Sequence, residues 1–195
     1  MNNSNISSKK RTFSILCNWQ PPPTEWFKLN IDGSSLGNPG KSGYGGIIRD
    51  EAGNIIVAFS GYIGNATNNV AECWALRNGL DVARKYNCRN IIIETDSKTL
   101  LHLLRREDSA PKVLIPLLRD SRKLLQEFGS VKATFCYREV NRTADLLARS
   151  AAVNEDPMQI FLQMPPFVHE FVMTDPYYSC TRITTSHFVM AFNLQ

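Results

Sequence analysis

The first half of the chain alternates apolar and polar residues in short blocks that are separated by turn-forming residues. Residues 26–32 follow this pattern and predict a strand that ends at Asp32. Residues 45–49 and 55–62 predict two more strands, whereas the glycines between 33 and 43 predict a loop. Three successive strands with short connections indicate an antiparallel meander.

The second half changes to helical periodicity, interrupted by two short apolar blocks. The predicted elements are a helix at 69–86, a strand at 91–93, helices at 97–105 and 113–128, a strand at 131–137 and a helix at 141–153. The pattern therefore predicts the α/β class. We expect a mixed five-stranded sheet, with three antiparallel strands followed by parallel strands, and helices on both faces.

The two ends of the chain differ in composition from its middle. Residues 1–24 contain no acid and end in a proline run, which predicts a disordered or targeting lead-in. Residues 25–153 hold all the predicted elements and form the expected domain. Residues 154–195 combine prolines with aromatic residues, so we expect a C-terminal extension that packs partly on the domain.

Overall composition narrows the function classes. A net charge of +4 permits a nucleic-acid partner without requiring one. No apolar run approaches the ~20 residues that span a bilayer, so no membrane partner is expected. The five cysteines form no Cys-x-x-Cys pair, which argues against a zinc site or a disulfide framework and for a reducing compartment. We expect a monomer in the nucleus or cytoplasm, with an organelle left open.

Four acids stand at positions where catalysis and ordinary structure compete as explanations. Asp32 precedes a glycine and is typical of a turn. Glu72 lies three residues after Asn69, which is the spacing of a capping box. Asp96 follows an apolar strand and is typical of a helix N-cap. Asp145 falls in the first turn of a helix, where its charge favours the helix dipole.

Considered together, the four acids predict a metal site. In the predicted topology the first and fourth strands are central neighbours, and both flanking helices begin near their ends. Carboxylates this close repel one another unless a cation lies between them. An all-oxygen ligand set without His or Cys favours Mg²⁺, with Mn²⁺ as an alternative, over zinc.

The residues around these acids resemble four sequence motifs of type 1 ribonucleases H, in the family's order. The matching segments are 32–40 (Asp-Gly-Ser-Ser-Leu-Gly-Asn-Pro-Gly) with 43–46 (Gly-Tyr-Gly-Gly), 67–72 (Thr-Asn-Asn-Val-Ala-Glu), 95–97 (Thr-Asp-Ser) and 141–148 (Asn-Arg-Thr-Ala-Asp-Leu-Leu-Ala). Residues 28–33 and 138–145 further resemble the plant reverse-transcriptase-like branch.

This resemblance implies a ribonuclease H-like fold and a two-metal endonuclease that hydrolyses the RNA strand of RNA–DNA hybrids. It places Asp32 between two Mg²⁺ ions, Glu72 and Asp96 on one side, and Asp145 on the other. It also implies nucleic-acid contacts by Asn38, Thr67 and Asn69. Two basic residues near the expected groove, Lys98 and Arg142, are further candidates, although each is also typical of a solvated surface charge.

The chain departs from bacterial members of the family at the segment before the last acid. Those enzymes carry a histidine on a flexible loop there, whereas residues 138–141 are too short for such a loop, and slower turnover is expected. The basic protrusion between the helices at 97–105 and 113–128 is also missing from the sequence. Two alternatives stay open: a non-catalytic, retroelement-derived nucleic-acid-binding domain, and a protein-interaction module that uses the aromatic residues of 161–178.

Overall fold

The computed structural model describes residues 13–106, 110–174, 180–184 and 191–194. The strands within these ranges are β1 (Phe13–Cys17), β2 (Phe27–Leu36), β3 (Gly40–Arg49), β4 (Ile55–Ala66), β5 (Asn90–Thr95), β6 (Ser130–Phe135), β7 (Gln159–Phe161), β8 (Cys180–Thr184) and β9 (Ala191–Asn193). The helices are α1 (Asn68–Lys85), α2 (Lys98–Arg105), α3 (Ile115–Leu125), α4 (Arg142–Asn154) and α5 (Pro166–Thr174).

The main sheet is mixed, as the sequence predicts, but it is wider. Among the described residues it has seven strands in the order β7-β4-β3-β2-β5-β6-β9. Strands β2, β3 and β4 form the predicted antiparallel meander, and β5 and β6 run parallel to β2. The prediction of five strands is wrong because both edge strands come from the C-terminal extension. Each is three residues long, too short to show any periodicity.

Alternate residues of the central strands feed two hydrophobic cores. Ile48 faces the core beneath α1, α2 and α3, and its neighbour Ile47 faces a smaller core beneath α4 and α5. The smaller core includes Leu147 of α4 and Val168 of α5. Helices therefore cover both faces of the sheet, as predicted, and α5 of the extension is part of that covering.

The glycine-rich segment predicted as a loop is mostly strand. β2 continues through Asp32 to Leu36, and β3 begins at Gly40, so the connection is a short turn. Glycine is needed in these strands because helices lie directly against them. A Cβ atom on Gly33 would lie 2.3 Å from the Glu72 backbone nitrogen of α1, and one on Gly43 would lie 2.5 Å from the Ala148 carbonyl oxygen of α4. The bounds of β2 also correct the interpretation of Asp32 as a turn residue, since Asp32 lies inside the strand.

The segment before β2 also differs from expectation. Residues 1–12 of the predicted lead-in lie outside the described residues. Residues 13–17 form β1, which pairs with β8, and Trp19 is buried at 2% exposure. Residues 13–19 are therefore not a disordered lead-in, because they contain a paired strand and the buried side chain of Trp19.

Candidate active site

Two acids meet where neighbouring central strands approach the same edge of the sheet. Asp32 lies in β2, and Asp96 directly follows β5, which pairs in parallel with β2. One carboxylate oxygen of each lies within 4.8 Å of the other. Ser97 is the N-cap of α2, and its side chain accepts a hydrogen bond from the Leu100 amide at 3.2 Å. The capping role considered for Asp96 therefore belongs to its neighbour.

Glu72 reaches the same point from α1. The helix begins at Asn68 with Thr67 as its N-cap, so Asn69 is not in the position that a capping box requires. The structural alternative for Glu72 is therefore wrong. Its side chain is buried at 3% exposure, and the backbone N–H of Gly33 acts to lower the pKa of its carboxyl. Only a residue without a side chain at position 33 allows α1 to approach β2 this closely.

The three acids form a compact group, the acid cluster (Asp32, Glu72, Asp96). One carboxylate oxygen from each lies within 4.8 Å of the others. Within the described residues, this is the group of acidic, His or Cys side chains that is close enough together to hold a metal ion. Asp32 Oδ2 and Glu72 Oε2 are buried and, among the described residues, have no hydrogen-bond partner. Buried carboxylate oxygens without partners are costly, and oxygen-only donors fit a hard divalent cation.

The electrostatics of the cluster agree with this fit. Burial raises the pKa of Asp32 well above its usual range, and the charges of Glu72, Asp96 and Asp145 raise it further. Burial also raises the pKa of Glu72, reinforced by Asp96 and opposed by the Arg138 guanidinium. The pKa of Asp96 is raised by burial as well. The protein alone therefore resists full ionisation of the cluster, and a bound cation would reverse that resistance.

Asp145 lies beside the acid cluster and outside its compact core. It stands in the first turn of α4, and its charge contributes to the raised pKa of Asp32. Arg138 lies between Asp145 and Asp96, with Nε 3.4 Å from Asp96 Oδ2 and a terminal guanidinium nitrogen 4.0 Å from Asp145 Oδ1. The side chain of Arg138 is 72% exposed. Arg138 is not among the site residues predicted from the sequence; the available signal was its place in a short segment just before the last acid.

The predicted nucleic-acid contacts fall into two groups. Asn38, Thr67 and Asn69 are exposed around the start of α1, where Asn38 Oδ1 accepts the Asn68 amide at 2.9 Å. The basic candidates engage aromatic rings: Lys98 Nζ is 5.1 Å from the ring centre of Phe135, and the Arg142 guanidinium is 4.5 Å from that of Phe171. The first group shares one surface. Arg142 is instead directed toward α5 of the extension.

Comparisons with known proteins agree with this architecture. The profile of a family described as "Reverse transcriptase-like" matches residues 30–151. A protein of Arabidopsis thaliana named "Putative ribonuclease H protein" is 36% identical over 133 residues, which cover 68% of this chain and 22% of that protein. Ribonuclease HI of Halobacterium salinarum is 33% identical over 123 residues, which cover 62% of this chain and 61% of the relative.

Two solved structures share the fold. RNase H1 of the halophilic archaeon Halobacterium salinarum matches with a TM-score of 0.62 and 30% identity, over 66% of this chain and 98% of that one. LC11-RNase H1, solved in complex with RNA/DNA hybrid, matches with a TM-score of 0.61 and 27% identity, also over 66% and 98%.

The described helices include none with the length and apolar composition to cross a membrane. The matched segment contains all four acids, Asp32 in β2, Glu72 in α1, Asp96 after β5 and Asp145 in α4. The chain belongs to the reverse transcriptase-like family and carries a ribonuclease H-like domain.

Proposed function

We propose that this protein is a ribonuclease H-type endonuclease that hydrolyses the RNA strand of RNA–DNA hybrids with divalent metal ions. The observation that carries the proposal is the acid cluster, in which two buried carboxylate oxygens have no partner among the described residues. The complex of LC11-RNase H1 with RNA/DNA hybrid supports the choice of substrate.

Four side chains would hold the metal ions. Asp32, Glu72 and Asp96 would ligate one ion through their converging oxygens, and Asp145 together with Asp32 would ligate a second. When bound, a pair of Mg²⁺ ions supplies an activated water and stabilises charge on the leaving oxygen in phosphodiester hydrolysis.

Side chains of the protein would position the charges and contact the substrate. The carboxylates of Asp32 and Glu72 are buried where α1 packs directly against β2, so the fold itself positions the negative charge. The exposed guanidinium of Arg138 lies next to Asp96, where it is placed to contact a phosphate oxygen. Asn38, Thr67 and Asn69 would contact the hybrid beside the acid cluster, and Lys98 and Arg142 are the basic candidates.

A cleavage assay tests the proposal directly. The full chain is incubated with an end-labelled RNA–DNA hybrid and Mg²⁺ or Mn²⁺, with duplex DNA and duplex RNA as comparison substrates and a chelator control. We expect cleavage of the RNA strand of the hybrid alone. Asp32→Asn should abolish it, whereas Asp120→Asn, the same change on an exposed residue of α3, should not.

Other outcomes would overturn the proposal. Cleavage that survives both the chelator and Asp32→Asn would exclude the acid cluster as its source. Tight binding of the hybrid without cleavage under any metal would instead support the non-catalytic nucleic-acid-binding alternative.

A further inference from the structure

A second set of buried polar side chains lies directly beneath the acid cluster. Asn30 of β2 and Glu94 of β5 precede Asp32 and Asp96 by two residues and are partners across the parallel pairing. Side chains two residues apart on a strand point to the same face. Asn30 and Glu94 therefore form the layer below, where Asn30 Nδ2 donates to Glu94 Oε2 at 3.0 Å.

Three successive hydrogen bonds cross this layer in one direction and form the amide relay (Trp19, Asn30, Asn141). The Trp19 indole N–H donates to Asn30 Oδ1 at 2.9 Å. Asn30 Nδ2 donates to Asn141 Oδ1 at 3.3 Å, and Asn141 Nδ2 donates to the Ile31 carbonyl at 3.0 Å. All three side chains of the relay are 2% exposed.

The relay ends on two parts of the acid site at once. The carbonyl of Ile31 belongs to the peptide group that joins Ile31 to Asp32. Asn141 is the N-cap residue of α4, yet its side chain makes no capping hydrogen bond, because its Oδ1 accepts from Asn30 while its Nδ2 donates to the Ile31 carbonyl of β2. The relay therefore ties the backbone before Asp32 to the start of the helix that carries Asp145.

The donor at the head of the relay decides how the rest is oriented. A side-chain amide can present either its oxygen or its nitrogen to a neighbour, and the donors around it select one orientation. Trp19 has only an N–H to offer, so it fixes the Asn30 oxygen toward itself and the Asn30 nitrogen toward Asn141. The indole is held in place by Arg49, whose guanidinium lies 4.6 Å from its ring centre.

We infer that Trp19 and Asn30 are positioning residues for the acid site, acting through Asn141 on Asp32 and Asp145. This inference rests on the proposed endonuclease function and adds to it a residue outside the family match, since Trp19 precedes the matched residues 30–151. The functional unit then includes a residue upstream of the matched segment, the buried Trp19.

Trp19→Phe tests the inference because it removes the indole N–H and keeps an aromatic ring for packing. Trp26→Phe is the matched control; Trp26 stands just before β2, at the opposite end from the acid cluster, with Lys132 Nζ 4.4 Å from its ring centre. Both proteins and wild type are compared in hybrid cleavage at varied Mg²⁺, in Mg²⁺ calorimetry without substrate, and in thermal melts.

We expect Trp19→Phe to lower kcat or Mg²⁺ affinity by about 10–100-fold, the usual effect of losing a group that orients a metal ligand. KM for the hybrid should stay within about twofold, since no substrate contact is removed. Trp26→Phe should match wild type in both quantities. A purely structural role for Trp19 would lower the melting temperature and leave kcat and Mg²⁺ affinity of the folded protein unchanged, and that result would overturn the inference.

A measurement on the wild type tests the relay even if Trp19→Phe does not fold. The indole N–H of Trp19 should exchange with solvent more slowly than that of Trp26, and equal exchange would show that the relay is not formed. Wild type that binds Mg²⁺ without cleaving hybrid would refute the proposed function alone, because the Mg²⁺ affinity of Trp19→Phe would still test the positioning role. Wild type that does neither would overturn both.

Discussion

Polar side chains on β2, on β5 and just after β5 form two layers on one face of the sheet, and the two layers differ in how their atoms are paired. In the layer formed by the amide relay and Glu94, each donor nitrogen has an acceptor at 2.9–3.3 Å. In the acid cluster above it, Asp32 Oδ2 and Glu72 Oε2 are equally buried and have no partner among the described residues. The three relay residues, Asp32 and Glu72 are all 1–3% exposed, so pairing and not burial separates these groups.

The difference has a physical meaning. A paired buried layer fixes the positions of its groups and costs little. An unpaired acidic layer is costly, and such a cost is kept in a fold where surrounding structure enforces it, which is common at functional sites. The paired layer thus supplies the rigid support that the unpaired layer needs.

Asp96→Asn should have the largest effect on activity, because it removes one charge from the unpaired layer while nearly keeping its shape. We expect hybrid cleavage to fall by about a thousandfold or more, as for loss of a group that acts in the transition state. The metal-free protein should be as stable as wild type or more stable, since Ser97 and not Asp96 caps α2. Initial rates and thermal melts measure both. A variant that is clearly less stable and still active would show the acid to be structural.

Gly33→Ala should damage the same layer through its geometry. The added Cβ would lie 2.3 Å from the Glu72 backbone nitrogen, so α1 must shift away from β2 and take Glu72 with it. We expect a loss of about 3 kcal/mol in the free energy of unfolding, at the upper end for overpacking, together with weaker Mg²⁺ binding.

Denaturant titration and calorimetry measure the two effects of Gly33→Ala. Gly64→Ala is a useful contrast, because no atom lies within 4 Å of its Cβ position and its cost would come from its positive φ alone. Equal Mg²⁺ affinity in Gly33→Ala and wild type would show that Glu72 does not need this close approach.

The sequence predicted the parts of the site that depend on local pattern. The apolar run before Asp96 marks a buried strand, and helical periodicity places Asp145 in the first turn of its helix, both as predicted. Glu72 lies on the predicted helix but beyond its first turn, because α1 begins at Asn68 with Thr67 as its N-cap. Glycines at 33 and 43 were interpreted as loop formers because sequence alone cannot distinguish a flexible backbone from one against which a helix packs.

The parts that were not predicted depend on distant pairing. Trp19 lies in a short segment without periodicity, and its partner Asn30 is identified only by the fold. The same holds for β7 and β9, whose three residues gain their structure from the edges of an existing sheet. Arg138 is similar, because only the folded structure shows that its guanidinium lies next to Asp96 and Asp145.

Glu94→Gln tests how much the charges of the paired layer contribute to stability. Glu94 Oε1 lies 2.8 Å from Lys28 Nζ, and both side chains are largely buried. Glutamine keeps an acceptor but removes the charge that balances Lys28, so we expect a loss of about 2 kcal/mol in the free energy of unfolding, typical of a hydrogen bond to a charged group. Glu51→Gln in the exposed β3–β4 turn is the control. Unchanged stability in denaturant titration would mean that this layer is not held by its charges.

The smallest expected effect is a dependence of stability on pH that only the unpaired layer should show. The pKa values of Asp32, Glu72 and Asp96 are raised in the folded protein. Above the ordinary carboxyl range the unfolded chain has released these protons while the folded chain still holds some of them. The unfolded state then binds fewer protons, so the stability of the metal-free protein should fall as pH rises from the ordinary pKa toward the raised ones.

Mg²⁺ should reverse this trend, because it binds the ionised carboxylates of the folded state and competes with protons. Without metal, we expect wild type to lose stability relative to Asp32→Asn as pH rises above the ordinary carboxyl range. Saturating Mg²⁺ should raise the wild-type melting temperature more at the higher pH and change that of Asp32→Asn less. Using the difference between the two proteins cancels other titrating groups, such as Asp81, whose lowered pKa acts in the opposite direction. A difference that does not vary with pH, together with no response to Mg²⁺, would show that the acid cluster is tolerated without a cation and would remove the physical basis for the metal site.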